Sequence, residues 1–204
     1  MLQLEFRLRS KRDTRLVWNT SEDEMQALEA ATTARVGAYC ALTGAACAVT
    51  GASLLMVSGA DLDVVLATDG MTEYLALAGA RSGILTANLV AWIVMVFLMG
   101  IAGVSMAAMS TERPVAARVA RYCYLTGVPL VMAAYVAWLA IIVTIAPDTS
   151  PVAVSLATVV GWFASRADWI ATILIIGIGP TILSYAGHGV WSPSWLLRWS
   201  IGRV

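Results

Sequence analysis

Residues 34–60 read ARVGAYCALTGAACAVTGASLLMVSGA, and past Arg35 no charge interrupts them. At 1.5 Å per residue such a helix is about 40 Å long, enough to cross the ~30 Å hydrocarbon core of a bilayer. Gly37, Gly44 and Gly51 recur every seven residues, with Ala41 and Ala48 between them. The spacing draws one stripe without side-chain bulk down the helix. In lipid such a stripe lets another helix approach closely, and packing takes over where the hydrophobic drive is absent. Gly37, Ala41, Gly44, Ala48 and Gly51 are therefore read as a helix-packing face.

Working outward, the whole chain has this character. Of 204 residues 59% are apolar and 13% charged, and mean hydropathy is +0.78. Soluble domains carry about 25% charged residues. Three further apolar runs, about 83–110, 120–146 and 169–190, complete an all-α integral membrane protein of four transmembrane helices. With the N-terminus inside, the inner segments hold Arg7, Arg9, Lys11, Arg12, Arg15, Arg35, Arg113, Arg118, Arg121, Arg198 and Arg203. The outer loops hold Arg81 and Arg166. The bias puts both termini on the cytoplasmic or matrix side, in a bacterial or archaeal cytoplasmic membrane or an organellar inner membrane.

Residues 1–20 form an inner arm. Leu2, Leu4, Phe6 and Leu8 alternate with polar neighbours, the period of a strand, and 14–18 can return, so a small β-hairpin is predicted. Ser21 with Glu24 makes a capping box, opening a domain that runs from 21 to 199. Asp61 to Ser82 is an acidic outer loop in which 71–80 can form a short helix. Ser150-Pro151 reads as an N-cap followed by proline at the first helical position. The thirteen apolar residues 152–164 are too few to span and are read, with 151, as an interfacial helix, the alternative being a re-entrant one that would favour a pore. Asp168 then caps the fourth span, whose middle Gly177, Gly179 and Pro180 should loosen. Ser192-Pro193 opens a second interfacial helix, 192–199, before a tail, 200–204.

Chemistry is scarce. On these boundaries no Asp, Glu, Lys or Arg falls at mid-depth, which argues against a proton relay or ion-coupled transport by this chain alone. Met95, Met99, Met106 and Met109 could pass soft metal ions, but no Cys or His accompanies them in that span. Cys40, Cys47 and Cys123 read as small core residues. The single His188 cannot supply a bis-histidine haem. No phosphate loop, zinc spacing or nucleophile elbow occurs, and no basic run interleaved with aromatics suggests nucleic acid. The expectation is no cofactor, no metal and no enzymatic activity. Asn88, the one carboxamide within the spans, should bond another helix. Arg113, Arg118 and Arg121 can hold anionic lipid headgroups. Tyr185, His188 and Trp191, three residues apart, share a face that could touch a lipid or quinone headgroup. The functional expectation is a non-catalytic accessory subunit of a larger membrane complex, in an energy-transducing system for instance, whose partners are membrane lipids and other membrane subunits. The alternative is a homo-oligomeric channel lined by the first span through Thr43, Thr50 and Ser53.

Overall fold

A computed structural model describes the backbone of residues 2–187 and the side chains of residues 24–187. Four of its helices are long and apolar enough to cross a membrane. Helix α1 (Leu2–Ser58) leads to two short helices, α2 (Leu62–Ala67) and α3 (Met71–Ala80). Then come α4 (Ser82–Met109) and α5 (Pro114–Ala140), the latter extended by a π-helical segment, Ile141–Ile145. Finally α6 (Pro151–Thr172) runs through a π-helical segment, Ile173–Ile178, into α7 (Gly179–Ala186).

Consecutive long helices run antiparallel, as their contacts show. The buried α1 residues Gly37, Gly44, Gly51 and Ser58 keep the seven-residue interval, and the three glycines face α4. A Cβ added to Gly37 would meet Ser105 Cβ at 3.0 Å, one on Gly44 Met99 Cγ at 3.2 Å, and one on Gly51 Trp92 Cε2 at 3.0 Å. The stripe is thus used within the chain. Its last turn is closed from α4's side: Arg81 Nη1 donates to the carbonyls of Val57 (3.0 Å) and Ser58 (2.6 Å), satisfying C-terminal carbonyls the helix leaves free. Gly59, at φ 64, then turns the chain in the left-handed region, where glycine is strain-free.

Packing of α4, α5 and α7 relies on glycine too. Gly100 receives Val128, and Gly127 receives Ile175. The Tyr124 ring lies against Gly103 on one side and Gly179 on another. At one end of the bundle α2 and α3 form a cap. Leu62, Leu66 and Met71 reach over Gly161 of α6, and Trp138 Nε1 donates to the Tyr74 hydroxyl.

Three expectations need correction. No strand occurs among the described residues, and 2–18 belong to α1 rather than to a hairpin. From Leu2 to Val36 there is neither glycine nor proline. A helix pairs its own backbone, whereas two strands leave open edges. Ser21 accordingly lies inside the helix rather than at its start. The third long helix begins at Pro114, so the turn before it is only Ser110 to Arg113. Most consequentially, the interfacial helix 151–164 and the fourth span are not separate: Pro151–Ala186 is one continuous helical rod. Ser150 caps it as expected, its Oγ accepting from Ala153 N at 3.3 Å. Arg166-Ala167-Asp168 contains no glycine or proline that could end it. The loosening falls at Ile173–Ile178, where Pro180 lacks an N–H and Gly179 N donates to Leu174 O. The predicted helix 192–199, the tail, His188 and Trp191 lie outside the described residues.

Candidate functional site: a polar layer at mid-span

With the fourth rod continuous, Asp168 stands midway between Pro151 and Ala186, roughly 26 Å from each. Its level along the bundle can be read independently from α5. Tyr135, the side chain that faces the Asp168 carboxyl, lies at the centre of the charge-free stretch between Arg121 and Asp148. The boundary between a loop and the fourth span at Asp168 is therefore overturned: a charged pair lies inside one continuous helix. A charged pair between two apolar runs has the composition of a loop, but here the backbone stays helical through it.

Each member of the layer is placed by its helix. Asp168 projects from α6 toward α5, and its Oδ1 is buried with no hydrogen-bond partner among the described residues. Such an orphan acceptor costs about 1–3 kcal/mol. On the other side of Tyr135 the ring of Trp92 lies 6.4 Å away, tilted by 41°. One turn earlier on α4, the Asn88 side chain, 1% exposed, donates from Nδ2 to the Gly51 carbonyl at 2.6 Å. That is the interhelical bond expected of it. The missing side chain of Gly51 is what lets Trp92 and Asn88 come so near the α1 backbone. The layer crosses the bundle from α1 through α4 and α5 to α6.

Arg166, two residues from Asp168, turns the other way. It is exposed on the outside of the bundle, and its guanidinium sits 4.7 Å from the centre of the Trp162 ring, one turn away on the same helix. Intramembrane ionisable groups are rare and costly, and they concentrate where they have a job. Two of them on one turn of α6, one facing inward and one outward, distinguish this layer from the rest of the apolar bundle.

At the end of the bundle where α4 turns into α5, Arg113 and Tyr185 are brought together. Arg113 Nη1 donates to the Tyr185 carbonyl at 2.7 Å, and the guanidinium covers the Tyr185 ring at 4.0 Å. The pair staples the start of α5 to α7. Arg118 and Arg121 are exposed on α5 and make no such staple. At the opposite end Asp61 caps α2, its Oδ1 accepting from Asp63 N (2.9 Å) and Val64 N (3.3 Å). Burial pushes the Tyr74 phenol up to about 12; the Trp138 donation opposes the shift, and the Asp61 charge adds to it. A cleft of about 420 Å³ lies beside Tyr74, between Gly59 and Leu77, with Asp69 and Glu73 on its wall. Among the described residues no cluster of His, Cys, Asp and Glu could hold a metal ion. Compared with protein-family models, with curated proteins and with solved structures, the chain matches none.

Proposed function

We propose that the protein is a non-catalytic accessory subunit that scaffolds a larger membrane assembly. The observation that carries this reading is the free-standing part of α1. The helix has 57 residues, about 85 Å at 1.5 Å per residue, against a hydrocarbon thickness of ~30 Å. From Glu24 to Thr32 every residue is exposed, including Met25 and Leu28 on one face. A helix without tertiary contacts is marginal in water, because most helical stability in proteins comes from packing an apolar face. A rod that leaves its bundle in this way is best explained by a second protein that covers it.

On this reading the eleven basic residues of the inner segments set both termini on the cytoplasmic or matrix side. Arg118 and Arg121 then lie at headgroup level for anionic lipids. The competing reading, a homo-oligomer lined by α1, draws on Thr43, Thr50 and Ser53, which are exposed on the face turned away from α4. Against it, the Thr50 and Ser53 hydroxyls already donate to the Ala46 and Val49 carbonyls at 2.9 and 2.8 Å. Photo-crosslinkers placed at Leu28 and at Ser53 in native membranes separate the two. A scaffold gives adducts from Leu28 to a different polypeptide. Self-adducts from Ser53 favour the channel, and lipid adducts alone at both positions refute the proposal.

A further inference from the structure

We propose that the outward face of α6 is a docking site for a partner transmembrane helix carrying one carboxylate at the depth of Arg166. The inference deepens the accessory-subunit reading and rests on it. Ser155, Val159, Trp162, Arg166, Trp169 and Ile173 follow one another at steps of four and three, and all are exposed. That is the 3.5-residue repeat with which a helix presents one seam to a neighbour. The inward face of the same helix is already occupied by α2, α3 and α5, so the repeat on the outer side serves nothing among the described residues. A shallow groove of about 470 Å³, lined by Pro151, Val152, Ser155, Leu156 and Val159, opens at one end of the seam.

From Val159 to Ile173 the seam is apolar or aromatic on both sides of a single cation. One polar residue in such a seam fixes register and partner. Among the described residues the contact of Arg166 is the Trp162 ring, which satisfies none of its five N–H donors. Headgroup phosphates lie about 15 Å away from mid-depth, half the hydrocarbon thickness. A second copy is the wrong occupant. A parallel two-fold contact of α6 with α6 would set two Arg166 guanidinium groups against each other. The carboxylate nearest in depth, Asp168, points inward to Tyr135. A Glu or Asp on a different helix supplies what the seam lacks, and it can pair bidentately with the guanidinium.

The test uses the full chain in phosphatidylcholine vesicles with labelled polyleucine transmembrane peptides bearing a central Glu, Gln or Lys, read by energy transfer. The Glu peptide is expected to bind about tenfold more tightly than the Gln peptide, the scale of one interhelical hydrogen-bonded contact, and the Lys peptide least. Arg166→Gln should erase the Glu preference, Arg166→Lys should keep part of it, and Arg166→Glu should turn it toward the Lys peptide. Equal binding of Glu and Gln peptides, or an unchanged preference in Arg166→Gln, overturns the proposal. So does energy transfer between labelled copies of the chain itself that is lost in Arg166→Gln. The α1 crosslinks are read separately, so failure here leaves the scaffold reading standing on its own evidence.

Discussion

Replacing Gly103 by alanine should loosen the contact of α4, α5 and α7, and the size of the effect follows from one ring. A Cβ at Gly103 would stand 2.5 Å from Tyr124 Cζ and 2.6 Å from Cε1 and Cε2. Carbon atoms rest at about 3.5–4.0 Å, so the ring or the helix must move by roughly 1 Å. The ring cannot retreat freely. Tyr124 is buried, and from α7 a Cβ on Gly179 would already stand 3.3 Å from it. Overpacking of this kind costs about 1–3 kcal/mol. The intrinsic preference of helices for alanine returns up to ~1 kcal/mol, less in micelles where the unfolded reference stays helical. Gly103→Ala is therefore expected to lose about 1–2 kcal/mol. Gly177→Ala, which meets no atom within 4 Å, should be neutral or gain up to ~1 kcal/mol. Unfolding in mixed micelles measures both. Adding Tyr124→Leu to Gly103→Ala should recover part of the loss, giving a coupling of about 0.5–3 kcal/mol. Equal stabilities for Gly103→Ala and Gly177→Ala, or strict additivity with Tyr124→Leu, would refute the reasoning.

Asn88→Leu removes the 2.6 Å bond to Gly51 and leaves α1 held on α4 by packing. A loss of about 0.6–1.7 kcal/mol is expected, read as weaker energy transfer from Trp92 to a label near Gly51 in titrations with denaturing detergent; an unchanged titration would show the bond to be idle. Tyr74 should still be a phenol when an exposed tyrosine has ionised, giving up its proton near pH 12 rather than at its ordinary 10.0. Because the folded state keeps a proton that the unfolded chain releases, stability is flat below pH 10 and falls from there toward 12. Phenolate absorbance and unfolding midpoints in Tyr74→Phe should lack that late component, and its persistence would exclude Tyr74 as its source.

Much of this architecture is legible in residue spacing, where the determinants are local. The seven-residue interval of Gly37, Gly44 and Gly51 announces a contact face, and the fold seats it on α4. Asn88 stands out as a carboxamide in an apolar run, and its partner proves to be a backbone carbonyl. The short helix 71–80 forms where the outer loop has room for it, and the Ser150-Pro151 helix start follows from capping chemistry. What spacing did not reveal depends on contacts between distant segments. The alternation of Leu2, Leu4, Phe6 and Leu8 has strand period, yet nothing nearby offers a second edge, and the backbone closes its hydrogen bonds as a helix. Arg166 and Asp168 look like a loop between apolar runs until Tyr135 and Trp162 are seen beside them. The absence of Gly, Pro or Asn between Phe163 and Gly177 was the signal that the helix continues. The seating of Tyr124 between Gly103 and Gly179 is a property of three helices and is invisible in any one of them.

The account turns on the depth of Arg166 and Asp168. Nitroxide labels at Phe163→Cys and Ile170→Cys, both exposed and flanking the pair, report that depth through collision with oxygen against collision with a water-soluble nickel chelate in bilayers. Both labels should sit near the oxygen maximum, with labels at Val152 and Ser184 markedly shallower, as a single rod from Pro151 to Ala186 requires. Labels at 163 and 170 found at headgroup level, with residue 152 freely open to the chelate, would place the charged pair at the membrane surface and contradict the account.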